Sequence, residues 1–155
     1  MTQIIKWQCA SFNELTGAQI YAILQARSEV FIMEQNCVYQ DMDGLDLSTL
    51  HVIGWAEDEK VAAYLRIVAP NIKFPEPSIG RVISTSAFRG SGIGRQLITE
   101  GLKQLEAHYP SQAVRISAQA YLQEFYKSFG FVAVSEEYLE DDIPHIEMLR
   151  PVSSN

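Results

Sequence analysis

The sequence predicts one mixed α/β domain built on a single sheet, and three observations predict it. Strand-like runs rich in β-branched residues alternate with runs of helical spacing along the whole chain. One strand-like run passes directly into a helix through three closely spaced glycines, Gly90, Gly92 and Gly94. The 155 residues show no repeat, low-complexity tract or linker. With 47% hydrophobic residues, a chain of this length folds as one domain, residues 1–155. Such a domain buries about two-thirds of its unfolded surface.

The elements follow in order. Gln3 to Gln8 reads as a short first strand. Asn13 to Gln35 carries Ile20, Ile23, Leu24, Val30 and Phe31 at helical spacing, with Thr16 placed to cap the N-terminus. Asn36 to Ser48 is a polar loop holding Asp41, Asp43, Gly44 and Asp46. Leu50 to Ala56 and Lys60 to Val68 are strands around a Glu57-Asp58-Glu59 hairpin turn. Pro70, Pro75 and Pro77 punctuate the loop to a third buried strand, Ile79 to Ser86. Ile93, Leu97, Gly101 and Leu105 mark one face of the next helix. Pro110 separates it from the strand Ala113 to Ala118. A short helix, Leu122 to Phe129, ends at Gly130, and strands follow at Phe131 to Val134 and Pro144 to Leu149.

Composition bounds the function. A net charge of −7 offers no basic stripe to a nucleic acid. An anionic ligand would have to be attracted locally, by Arg89, Arg95 and loop amides. Cys9 and Cys37 match no metal or redox spacing and read as reduced thiols of a cytoplasmic protein. Met1 to Trp7 lacks the pattern of a signal peptide, and no apolar run reaches membrane-spanning length.

The stretch Arg89-Gly90-Ser91-Gly92-Ile93-Gly94 carries the chemistry. Glycines let the backbone turn sharply and leave its N–H groups uncovered. At a helix N-terminus those orphan donors and the macrodipole favour an anion such as a phosphate. A dinucleotide fingerprint counted from Gly90 fails at Arg95, and no Gly-Lys-Ser/Thr of a P-loop follows. A kinase loop counted from Gly92 fails at Leu97. From the residues alone the stretch is a phosphate cradle or a glycine-rich turn that precedes a helix.

The remaining pattern, R-x-x-G-x-G entering a helix, resembles the pyrophosphate loop of the GNAT superfamily of acetyl-CoA-dependent N-acyltransferases. Gln119, Tyr126 and Gly130-Phe131 lie in the order of a second motif of that superfamily, with Gln119 where Asn is usual. Val30 to Asp43, Ile79-Gly80-Arg81-Val82-Ile83 and Ile143-Pro144-His145-Ile146 are similar to the signature of its ElaA branch. The resemblance implies a central mixed, mostly antiparallel sheet flanked by helices, with a splayed parallel strand pair, and acetyl-CoA as acyl donor. It implies that Val82-Ile83-Ser84 splays from Val114 to Ala118. The pantetheine arm then pairs with backbone groups of Val82 and Ser84 and contacts Gln119, and an N–H there polarises the thioester. Arg89 and the amides of Gly90, Ser91, Gly92, Ile93, Gly94 and Arg95 are expected to hold the pyrophosphate.

Transfer to an amine needs a neutral nucleophile, a stabilised oxyanion and a departing thiolate. Tyr126, at its motif position, is the candidate general acid: a phenol near pKa ~10 can donate to a thiolate near pKa ~8.5. A lysine-like amine is neutral about once in 2,500 molecules at pH 7, a penalty of about 4.6 kcal/mol. Candidate bases are Glu34, Glu57, His51 and His145, the histidines because their ordinary pKa is nearest neutrality. For His51 and His145 a structural hydrogen-bonding role stays open, and Glu34 is placed equally well to anchor its loop. Arg27 falls in the apolar phase of its helix, which predicts a buried ion pair. Asp41, Asp43 and Asp46 lack the later glutamate of a calcium loop and read as a solvated loop or a rim for a cationic amine.

The expectation is an N-acetyltransferase acting on a primary amine of a small molecule or peptide, without metal, nucleic acid or membrane, as monomer or homodimer. A non-catalytic acyl-CoA-binding or interaction module and a nucleotide-binding protein are the alternatives.

Overall fold

The computed structural model describes residues 4–152, so Gln3, the expected start of the first strand, lies outside the described residues. Strand β1 spans Lys6–Ser11, displaced toward the C-terminus of its expected position. It pairs along all of β2 (Leu50–Trp55), from Lys6 opposite Trp55 to Ser11 opposite Leu50. At Ser11 the chain turns into a 3-10 turn, Phe12–Glu14, whose Glu14 Oε1 accepts from the Ser11 N–H at 2.9 Å.

Helix α1 (Gly17–Arg27) begins at the expected cap. Thr16 Oγ1 accepts from Gln19 N–H at 3.1 Å and the Gln19 side chain returns to Thr16 N–H at 2.9 Å, a reciprocal capping box. The single expected helix then changes character. Ser28–Glu34 forms wider π-type turns, with Gln35 N–H reaching Val30 O and Cys37 N–H reaching Ile32 O. Residue spacing does not reveal this change of phase, which brings Val30, Phe31 and Glu34 to one cleft.

Strands β2, β3 (Val61–Val68) and β4 (Ser78–Ser84) complete a four-stranded antiparallel sheet in the order β1-β2-β3-β4. The expected Glu57–Glu59 turn joins β2 to β3, with Ala56 N–H donating to Lys60 O at 2.8 Å. Helix α2 (Ile93–His108) lies on one face of this sheet. Its predicted stripe of Ile93, Leu97, Gly101 and Leu105 is buried, and a Cβ at Gly101 would come within 2.7 Å of Leu65. Helix α1 and the π-type turns after it cover the other face through Ile23, Ala26 and Val30, against Ile53, Tyr64 and Ile83.

The second sheet holds β5 (Val114–Gln119), β8 (Ile143–Arg150) and β6 (Val132–Ala133) in that order, with β7 (Tyr138–Glu140) also paired to β8. Helix α3 (Gln123–Lys127) packs beside it. The β7–β8 hairpin is absent from the sequence reading because its turn residues, Asp141 and Asp142, adopt positive φ (51° and 63°) without a glycine to signal it.

The expected mixed sheet is thus parted between β4 and β5. Arg115 N–H donates to Pro77 O at 3.1 Å where both strands begin. Beyond that bond no ladder joins them among the described residues, and they diverge side by side in the same direction. β4 also bulges: Tyr64 faces Ile83 but Arg66 faces Gly80, so an extra β4 residue is inserted, and Arg81 takes φ 51°.

Candidate active site

The parted strands enclose a cleft of about 640 Å³. Val82 and Ser84 of β4 line one wall and Ala118 and Gln119 of β5 the other. Gly94 and Leu97 of α2 and Phe125 and Tyr126 of α3 bound one side, while Glu34, Gln35 and Tyr39 bound the opposite side. Antiparallel strands alternate the direction of their backbone groups. Thr85 N–H donates to Ala62 O, so residues 83 and 85 face β3 and Val82 and Ser84 face the cleft. That edge, open except at the Ser84 carbonyl, which Arg89 holds, has the form an extended amide chain can pair with.

At the mouth, Gly90 (φ 81°) and Gly92 (φ 82°) supply the left-handed backbone that carries the chain into α2, and no protein atom lies within 4 Å of a Cβ built on either. The helix starts at Ile93 without a side-chain cap, leaving its first N–H groups free for an anion. A Gly92→Val substitution meets strain at positive φ and fills space open to a ligand. It is expected to weaken acyl-CoA binding at least tenfold in calorimetry with the fold intact; unchanged affinity would sink the phosphate-loop assignment.

The two arginines of the loop turn elsewhere. Arg89 folds back over the end of β4, donating to Ser84 O through Nε (3.0 Å) and Nη2 (2.8 Å) and pairing with Glu34. Arg95 donates to Ser128 Oγ at 2.9 Å and lies 4.6 Å over the Phe129 ring. In this structure their side chains brace the end of β4 and the segment after α3, and the start of α2 has no side-chain cap.

The expected catalytic residues separate into two groups. Tyr126, Glu34 and His145 all line the cleft. Tyr126 is buried, edge-on to Phe125 and Phe131, and among the described residues its hydroxyl has no hydrogen-bond partner. Burial pushes its phenol above the ordinary value, so it stays protonated through the neutral range. Glu34 is engaged by Arg89. His51 lies outside the cleft lining, under the Asn36–Ser48 loop. Its Nε2 donates to Asp46 O at 2.9 Å, and its Nδ1 accepts from the Tyr64 hydroxyl at 2.6 Å. Both nitrogens are therefore occupied, which leaves His51 no free position for a substrate proton. Glu57 is exposed on the β2–β3 turn, also outside the cleft lining.

The acidic loop is not a solvated rim. Its carboxylates turn inward to form a closed ring of alternating charge with three arginines. Arg27 contacts Asp41 (2.8 Å) and Asp46 (2.7 Å), and Arg66 contacts Asp46 (3.0 Å) and Asp43. Arg81 closes the ring between Asp43 (3.4 Å) and Asp41 (2.7 Å). Arg27 is fully buried, as its helical phase predicts, and Arg66 nearly so. The bulge in β4 aims Arg81 into this ring, so the loop and the cleft wall are fixed to each other. Arg66, a lone charge within the apolar run Val61 to Val68, is the sequence signal for this network. Sequence reasoning also passes over Ser117, Tyr138 and Glu140, because the hairpin that gathers them has no glycine turn.

The ring makes stability pH-dependent. The Arg66 guanidinium holds the Asp43 carboxyl well below the usual carboxylate range. Burial alone would raise Asp46, but Arg27 and Arg66 outweigh it and lower it. Burial also pushes the His51 imidazole down. A depressed pKa gives stability that is present above the unfolded value and lost as pH falls through the folded one. The urea midpoint is therefore expected to fall first below about pH 6.5, from His51, and more steeply below about pH 4, from the aspartates. A midpoint unchanged from pH 7.5 to 3.5 would contradict this.

The sequence and the fold agree on the class. The acetyltransferase (GNAT) domain family matches residues 13–150, and the chain belongs to that family. Within it, the chain is 48% identical over 151 residues to protein ElaA of Escherichia coli strain K12, covering 96% of this chain and 98% of the relative. The crystal structure of E. coli ElaA superposes with a TM-score of 0.89 at 45% identity, covering 95% of this chain and 99% of that one. The crystal structure of an acyl-CoA N-acyltransferase from Pseudomonas aeruginosa superposes at 0.90 with 48% identity, again covering 95% and 99%. The chain is accordingly an acyltransferase that takes its acyl group from acyl-CoA. No helix among the described residues is long and apolar enough to cross a membrane.

Proposed function

We propose that the chain transfers an acetyl group from acetyl-CoA to a primary amine of a small molecule or peptide by direct attack, with Tyr126 as general acid. The observation that carries this reading is the position of Tyr126: its ring is buried, its hydroxyl has no hydrogen-bond partner among the described residues, and it lines the same cleft as the β4 edge. A pantetheine arm paired to Val82 and Ser84 runs from the glycine loop into the cleft, so its thioester lies between Tyr126 and the Glu34–Gln35–Tyr39 side. Backbone N–H groups of β4 then stabilise the oxyanion. The thiolate of CoA leaves with a pKa near ~8.5, and a phenol held protonated delivers its proton as that charge develops.

The amine enters from the side of the cleft opposite α2 and α3, where Gln35, Gln119, Glu140 and His145 meet. Incubation with acetyl-CoA and a panel of primary amines tests the reading, with mass-spectrometric detection of N-acetyl products and of free CoA. The expected result is acetylated product from at least one amine, with CoA release above the rate of thioester hydrolysis. Tight acetyl-CoA binding without transfer to any amine would overturn it.

A further inference from the structure

We propose that His145 and Glu140 form the site that receives the acceptor as its ammonium form and removes its proton before attack. This rests on the acetyl-transfer reading above and identifies the substrate class as a primary amine that is cationic in solution.

The geometry of the imidazole carries the inference. His145 Nδ1 lies 2.7 Å from Ile143 O, and a carbonyl oxygen only accepts, so Nδ1 bears the hydrogen. The neutral ring therefore presents the lone pair of Nε2. Its charged neighbour is Glu140 Oε2, at 3.3 Å. A lone pair facing a carboxylate at this distance is unfavourable until a proton or an N–H donor comes between them. The pair is thus built to hold a cationic donor: one N–H of an ammonium directed to the carboxylate, another to Nε2.

The surroundings keep both groups in place and within reach. His145 stacks on Tyr138 with ring centroids 6.2 Å apart, and the Tyr138 hydroxyl and Ser117 Oγ are 2.5 Å apart. His145 sits opposite Gln119 on β5 in the strand register. The His145 side chain is 9% exposed while that of Glu140 is 43% exposed, so a proton taken inside has a route to water. Of the other charged groups on this part of the cleft, Glu34 is paired with Arg89, and Arg81 is held in the aspartate ring. Lys73, Glu140 and Asp141 also line the cleft, and Lys73 lies near enough to Glu140 to feel its charge.

The step balances. The ammonium gives one proton to Nε2, and the resulting imidazolium is stabilised by Glu140. The nitrogen lone pair forms the C–N bond to the thioester carbon, and the C–S pair leaves on sulfur. Tyr126 protonates the thiolate, and the nitrogen's second proton returns to the Tyr126 oxygen. Net release is one proton, carried out by His145 and Glu140. The demand is real because an alkylamine at pH 7 is neutral about once in 2,500 molecules.

The test measures transfer from acetyl-CoA to a primary alkylamine by wild-type protein, His145→Asn and Glu140→Gln at pH 7 and pH 9.5. Acetyl-CoA affinity serves as the folding control, and the half-exposed Glu140→Gln carries the test if His145→Asn loses that affinity. Between these pH values solution supplies roughly 300-fold more free amine. At pH 7 kcat/KM is expected to fall about 10²-fold for His145→Asn, with Glu140→Gln raising mainly the amine KM. Both losses should shrink strongly at pH 9.5, because the substrate then arrives deprotonated. Equal losses at both pH values, or none at pH 7, overturn the proposal while acetyl transfer stands. Wild-type protein that acetylates no amine overturns the acetyl-transfer reading and this proposal with it.

Discussion

Arg27→Met is expected to lower the free energy of unfolding by about 3–5 kcal/mol, the range for removing one partner of a buried ion pair. Methionine keeps the stem of the side chain but removes donors to Asp41 Oδ2, Asp46 Oδ1 and Asp41 O. The ring of three arginines and three aspartates then carries an uncompensated negative charge. Its location decides the size of the effect. Arg27 has no exposed side-chain surface and Asp41 is 8% exposed, so water cannot replace the lost donors. Urea unfolding at pH 7 measures the loss. The double variant Arg27→Met with Asp46→Asn should recover part of it, because the surplus charge goes with the aspartate. A loss below about 1 kcal/mol, the level of exposed pairs, would mean that the ring is solvated.

Tyr126→Phe is expected to lower kcat about 10²-fold while acetyl-CoA affinity changes little. Phenylalanine keeps the edge contacts to Phe125 and Phe131 and removes only the hydroxyl. Because that hydroxyl has no hydrogen-bond partner among the described residues, its removal leaves no orphaned polar group there to confound the measurement. The fall should be milder for acyl donors with more acidic thiols, which need less protonation as they depart. A variant that turns over at the wild-type rate when chemistry limits would make Tyr126 a structural residue.

Local rules made much of the fold legible. Thr16 caps α1, Glu57–Glu59 turns the first hairpin, and the Ile93–Leu97–Gly101–Leu105 stripe buries as its spacing requires. The glycines at 90 and 92 take the left-handed backbone that a sharp strand-to-helix turn demands. Features set by tertiary partners were not legible. The π-type turns at Ser28–Glu34 leave no mark in the apolar spacing, and the Asp141–Asp142 turn uses residues that tolerate positive φ without announcing it. At the site, backbone geometry was readable and side-chain direction was not. Val82 and Ser84 face the cleft because strands alternate. Arg89 turns to Ser84 and Glu34, and Asp41, Asp43 and Asp46 turn inward, because their partners come from other elements, up to 55 residues away.

A crystal structure of the protein with acetyl-CoA tests the central claim most directly. The pantetheine amides should pair with backbone groups of Val82 and Ser84, and the pyrophosphate should rest on the N–H groups between Gly90 and Arg95. The thioester should lie within hydrogen-bonding reach of the Tyr126 hydroxyl on its sulfur side, with its carbonyl carbon open toward Gln119 and His145. Acetyl-CoA bound outside the β4–β5 cleft, or with its sulfur turned away from Tyr126, would contradict the account.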